Sequence, residues 1–133
     1  MAGRANKHFT KELAAKALAR NNAVVTIPAG YSVIEDEAFS HCDTIRELRI
    51  GPDVRAIGNY AFQACENLEI VEIGGILKYI GDHAFHACKA LKAIDFLGEV
   101  EHVGNFAFCQ CNSIKERGNT FIFRKGRCWD IPF

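Results

Sequence analysis

The chain has 133 residues, 49% hydrophobic and 24% charged, which is enough apolar mass for one packed domain with an ordinary surface. Sixteen basic residues balance sixteen acidic ones, so net charge supplies no general attraction to nucleic acid or to an anionic membrane. No apolar run approaches the roughly 20 residues of a membrane helix, and no continuous apolar stretch marks a secretory signal.

The first segment is basic and alanine-rich, with Arg4, Lys7, Lys11, Lys16 and Arg20 outweighing Glu12. Organellar transit peptides share that character, but no serine occurs before Ser32. An amphipathic helix explains it as simply. Phe9, Leu13, Ala14, Ala17 and Leu18 fall on one face at helical spacing, Thr10 suits an N-cap and Asn21-Asn22 ends the run. A capping helix is expected over residues 8–22.

From residue 24 to 117 one phrase recurs four times. Its copies are centred on Ala38-Phe39, Ala61-Phe62, Ala84-Phe85 and Ala107-Phe108, and each is followed three residues later by Cys42, Cys65, Cys88 or Cys111. Those cysteines are 23 residues apart each time. A fixed period of this length marks a stacked architecture. Apolar residues keep the same places in each copy: Val25, Leu48, Val71, Ile94; then Ile27, Ile50, Ile73, Phe96; then Ile34, Ile57, Ile80, Val103; then Ile45, Leu68, Leu91, Ile114. The alternation at Val25-x-Ile27 and its equivalents predicts a short strand with every second side chain inward. Proline and glycine after each strand turn the chain out of the sheet. Gly58, Gly81 and Gly104 suggest a tight bend with positive φ, although the first copy has Glu35 there. The alanine predicts a site with room for a methyl and no more. The phenylalanine fills each coil. One coil cannot bury its own apolar face, so stability comes from stacking.

Six cysteines would suggest disulfides in a small secreted protein. Four of them recur at one repeat position, which reads instead as a ladder of buried thiols in a reducing, cytoplasmic setting. Cys109 and Cys128 lie off the ladder. After residue 117 the repeat decays. Residues 118–133 are expected to cap the far end, with a strand at Phe121–Phe123. Trp129, Ile131 and Phe133 cover the opening in that reading. The alternative leaves Trp129 and Phe133 exposed as a docking tail.

The phrase Val54, Ile57-Gly58, Ala61-Phe62, Cys65, Leu68, with its copies and Ile27-Pro28, resembles the BspA-type leucine-rich repeat. That resemblance covers about residues 24 to 117. It implies a right-handed solenoid of about four 23-residue units, an α/β repeat fold with short parallel strands on one side. It also implies binding rather than catalysis. Many members attach to host or matrix components at the surface of microbes, which gives the alternative of a secreted or surface adhesin.

Three features are candidates for function. The outward strand positions form charged columns, and Arg46, Arg49, Glu69, Ile70, Glu72, Lys92 and Asp95 make a mixed-charge surface with a small apolar centre for a protein partner. The same charges would also keep a plain solvated sheet from associating. The column Glu37, Tyr60, His83, Phe106 is expected to lay its rings flat over neighbouring coils. Its alternative is an exposed stacking strip. His83, His86, Cys109 and Cys128 could serve a metal or redox role, with His86 and Cys109 in a variable surface column, but no zinc spacing is present and no metal or other cofactor is expected. No catalytic fingerprint occurs. The sequence therefore predicts a single domain and a non-enzymatic protein–protein interaction module. A homo-oligomer joined through a solenoid end is a variant of that reading.

Overall fold

The computed structural model describes residues 7–20, 23–96, 98 and 100–114. In chain order the elements are β1 (Lys7–Phe9), α1 (Lys11–Ala19), β2 (Val24–Ile27), β3 (Tyr31–Ile34), β4 (Glu47–Ile50), β5 (Ala56–Ile57), β6 (Ile70–Ile73), β7 (Tyr79–Ile80), β8 (Ala93–Asp95) and β9 (His102–Val103). The chain winds as a solenoid of about four turns with three walls.

The first wall is the predicted sheet, four parallel strands in the order β2-β4-β6-β8. Its register repeats every 23 residues, with Leu48 beside Val25 and Val71 beside Leu48. Val25, Leu48, Val71 and Ile94 point inward and are buried, as are Ile27, Ile50, Ile73 and Phe96. The second wall is also a parallel sheet, β1-β3-β5-β7-β9, which the sequence pattern did not announce. Most of its strands have only two residues, too short for alternation to be read.

The third wall carries Ala-Phe and is made of consecutive turns. Bonds close three residues back, as in Ala38 N–H to Glu35 O at 3.1 Å and Ser40 N–H to Glu37 O at 3.2 Å. The intervening amides point along the axis: Glu37 donates to Asn59 O at 2.9 Å, Phe39 to Ala61 O at 2.7 Å and His41 to Gln63 O at 2.7 Å. Two positions per coil are left-handed, with φ between 56° and 63° at Glu37, His41 and their six equivalents. That conformation costs a non-glycine residue about 1 kcal/mol or more. In the first three coils every such amide bonds the next coil, which offsets the strain.

The expected positive φ at Gly58, Gly81 and Gly104 is not what the fold uses; Gly30 (φ 100°) is the positive-φ glycine among the described residues. The repeat glycines are there because coils touch. A Cβ on Gly81 would sit 2.5 Å from Asn59 Oδ1 and 2.7 Å from Asn59 N. The reason for that approach is an amide ladder: Asn59 N–H donates to Asp36 Oδ1, Asp82 N–H to Asn59 Oδ1 and Asn105 N–H to Asp82 Oδ1, each at 2.8 Å. Glu35 replaces glycine where no coil precedes it. Its carboxylate instead accepts the Lys11 N–H at 2.6 Å, at the start of α1, where a negative charge is favoured.

The expected capping helix of residues 8–22 is shorter, Lys11–Ala19, because Lys7–Phe9 pairs with β3 as a strand. Thr10 is its N-cap, with Oγ1 accepting Leu13 N–H at 3.2 Å. The buried Ala14 and the half-buried Leu13, Ala17 and Leu18 pack on the first coil. The expected C-terminal cap, with Phe121–Phe123, Trp129 and Phe133, lies outside the described residues.

The core is one column. Phe39, Phe62, Phe85 and Phe108 are fully buried and stack with ring centroids 5.2, 5.2 and 5.4 Å apart. The alanines before them are buried as well, so the methyl-sized site is real. Phe85→Ala should lower unfolding free energy by about 3–5 kcal/mol in urea denaturation. Phe39→Ala should cost a similar amount despite lying in the first coil, because Phe9 continues the stack at 5.9 Å; a loss under about 1 kcal/mol would contradict this. Gly81→Ala should destabilise by about 1–3 kcal/mol, as overpacking against backbone does, and thermal melting would read it.

Candidate functional site

The outer face of the β2-β4-β6-β8 sheet carries the charges that the sequence singled out. Parallel register sets Arg49 beside Glu72, and Arg49 Nε lies 3.4 Å from Glu72 Oε1 and 2.8 Å from Glu47 Oε2. Just before the strands, Glu69 is held between two bases, 3.3 Å from Arg46 and 3.6 Å from Lys92. Ion pairs thus cross from coil to coil. Their side chains are largely exposed, so each contributes only about 0.2–1 kcal/mol. Ile70 is 38% exposed among them. With Val24, Glu47 and Ala93 it belongs to one outward column. Arg46, Arg49, Glu69, Ile70, Glu72 and Lys92 are therefore brought together on one face. Asp95 lies in β8 at the same register as Glu72.

The column Glu37, Tyr60, His83, Phe106 runs along the third wall, and all four residues are left-handed. Tyr60 and His83 stack at 4.8 Å with planes 7° apart, and Phe106 tilts against His83 at 5.2 Å. The rings shield one another, as the sequence suggested, although Phe106 remains 45% exposed. A second ring pair, Tyr79 on His102 at 4.6 Å, lies on the other sheet. The sequence reading missed it, and its signal was two aromatic residues one period apart. It also missed the Asp36, Asn59, Asp82, Asn105 ladder, which shows as an Asx at every twenty-third position.

Among the described residues the ladder thiols and the imidazoles do not assemble into a chemical centre. Cys65, Cys88 and Cys111 donate their thiols to the carbonyls of Phe39, Phe62 and Phe85 of the coil before, at 3.1, 3.1 and 2.9 Å. Burial, then the neighbouring Cys88 and Cys42, pushes the Cys65 thiol far above its ordinary range. The Cys111 thiol and burial raise Cys88 as well. Such thiols stay protonated and unreactive. Cys109 is buried and disulfide-bonded, not in the variable surface position expected for it, whereas Ser40, Gln63 and His86 at the equivalent places of the other coils are half-buried. Cys128 lies outside the described residues. His83 and His86 meet edge to face at 5.2 Å, and Gln63 Nε2 lies 3.4 Å from His86 Nδ1. Among the described residues no three His, Cys, Asp or Glu side chains converge as a metal site. No polar or charged residue among the described ones is fully buried, although the Nδ1 atom of His83 is itself buried without a hydrogen-bond partner. No described helix is long and apolar enough to cross a membrane.

The repeat unit itself is found in known proteins. A profile described as BspA type leucine rich repeat region matches residues 16–120 in six copies. The crystal structure of a T. pallidum leucine rich repeat protein superposes with a TM-score of 0.68 and 28% identity over 71% of this chain. The chain spans 46% of that protein's length. A leucine-rich repeat protein from Bacteroides capillosus ATCC 29799 gives a TM-score of 0.64 and 28% identity, covering 71% of this chain and 75% of its own. No curated protein sequence matches.

Burial and then the nearby His83 hold the His86 imidazole below its ordinary value near 6.5. The fold therefore favours neutral His86. Its contribution is complete above the unfolded value and is lost as pH falls through the lower folded value. The thermal midpoint should drop between about pH 7.5 and pH 5, and His86→Gln should make that drop smaller.

Proposed function

The chain belongs to the BspA-type leucine-rich-repeat family, and we propose that it is a non-enzymatic protein-interaction module whose partner docks on the outer face of the β2-β4-β6-β8 sheet. The observation that carries this reading is the clustering of six predicted residues on one sheet face, with exposed Ile70 inside a ring of charge. A small apolar centre with a polar rim is a common plan for interfaces. Solenoids present such stacked faces as extended binding surfaces.

The charges are already paired with each other, which sets the kind of partner the face selects. Arg49 balances Glu47 and Glu72, and Glu69 is shared by Arg46 and Lys92. A strongly basic or acidic ligand would gain little from so neutral a pattern. A protein surface with interleaved charges of its own can exchange pairs one for one.

The test exchanges charges without removing them. A protein carrying Arg49→Glu and Glu72→Arg keeps an opposite-charge pair across β4 and β6 but reverses the pattern that a partner meets. Affinity capture from the native source should identify a protein that the wild type retains. The exchanged variant should bind that protein about tenfold or more weakly, with little change in thermal midpoint. Equal recovery by the two proteins would remove the sheet face as the docking surface.

A further inference from the structure

The two sheets start differently at the N-terminal end. β1 adds a fifth strand to the β3-β5-β7-β9 sheet, whereas β2 is the first strand of the other. β2 is parallel to β4, and Ala23 O accepts the amides of Arg46 and Glu47. Alternate residues of a parallel strand serve one neighbour. Ala23, Val25 and Ile27 therefore serve β4, and the main-chain N–H and C=O of Val24 and Thr26 point away from it. Among the described residues nothing hydrogen-bonds those four groups.

They open into a cleft of about 430 Å³ between β2 and α1. Leu13 and Ala17 from the helix and Val25 and Tyr31 from the first coil give it apolar lining. Lys16 and Arg20 line it too, one and two turns along the face that presents Leu13. Neither forms an ion pair among the described residues, although Lys11, Arg46, Arg49, Lys78 and Lys92 do. No acidic residue is among the described residues that line the cleft.

An open strand edge, an apolar lining and two unpaired cations specify an occupant. The edge requires an extended backbone with its own N–H and C=O groups in register. The lining requires an apolar side chain on the inner side. The cations require a carboxylate. We propose that this cleft is a second binding site, where an extended acidic peptide from a partner adds a strand beside β2, with an apolar side chain against Leu13, Ala17 and Tyr31 and a carboxylate side chain against Lys16 and Arg20. Main-chain bonds give such strand addition its affinity, and the side-chain pockets give it selectivity. The chain's own residues 1–6 suit the cleft poorly, since they include Gly3 and the basic Arg4 and no acid. The site adjoins the sheet face at Val24 but uses none of its charged residues, and it does not depend on docking there.

The test uses the full chain, labelled with ¹⁵N, and an acetylated, amidated hexapeptide of alternating valine and glutamate. Amide shifts should centre on Val24–Ile27 and α1 and saturate. Affinity should fall about fivefold or more in each of three controls: lysine replacing glutamate in the peptide, N-methylation of alternate peptide bonds, and Lys16→Glu with Arg20→Glu in the protein. Those two positions are on the surface of α1, so the fold is retained and the shift pattern itself confirms it. The Arg49→Glu, Glu72→Arg protein should bind the peptide as the wild type does; weaker binding would place the peptide on the sheet face and overturn the proposal. No shift at millimolar peptide, or unchanged affinity in any of the three controls, would also overturn it. So would slow hydrogen exchange at Val24 and Thr26 in the free protein, because the edge would then already be covered by the chain itself.

Discussion

Phe9, Phe39, Phe62, Phe85 and Phe108 form a single row of rings down the axis of the solenoid, with successive centroids 5.2 to 5.9 Å apart. That spacing is close to the distance between neighbouring strands. Each coil therefore advances by one strand and one ring together, and the two requirements are met only if every copy has the same length. The 23-residue period is the consequence. An insertion inside the third wall would break the ring row, the amide ladder of that wall and the thiol bonds to the phenylalanine carbonyls at once.

The close approach of coils has local costs, and the sequence answers each. Glycine stands where a Cβ would meet the coil before, at Gly58, Gly81 and Gly104. Asp or Asn beside it turns the close approach into a hydrogen bond to the next main chain. The left-handed residues of the third wall are the less obvious case. Glycine would adopt that conformation more easily. Tyr60, His83 and Phe106 occupy it instead, and their rings cover one another on the outside of the wall. Because the conformation recurs in each coil, it belongs to the architecture and does not mark a single strained active site.

Function is left to what the period does not constrain. Outward residues of the β2-β4-β6-β8 sheet vary from copy to copy; the charges alternate in sign along Arg46, Glu69 and Lys92, whereas Arg49 and Glu72 are followed by a second acid, Asp95. The ends are also free of the period. At the N-terminal end β1 and α1 close the ring column, with Glu35 binding the start of the helix where later coils carry glycine. The helix covers the core but leaves the β2 edge beside an apolar cleft with basic neighbours. The molecule thus offers a neutral, mixed-charge face along its length and a positively charged strand edge at one end.

The inward positions were legible from residue types alone. Val25, Leu48, Val71 and Ile94, the Ala-Phe pairs and the ladder cysteines recur at one spacing, and translational repetition converts recurrence directly into stacking. Thr10 was legible as a helix cap because capping is local. What the sequence could not decide were features set by two coils meeting. The repeat glycines looked like positive-φ bends, since a missing side chain reads the same whether the backbone or a neighbour demands it. β1 looked like the start of the helix, because three residues carry no period and only pairing with β3 makes them a strand. The burial of Cys109 and the meeting of Tyr79 with His102 likewise depended on how coils pack. The sequence by itself determined the period, the core and the family. Tertiary structure decided which outward residues share a face and which strand edge stays open, because those are relations between coils, and a repeat written in one dimension does not contain them.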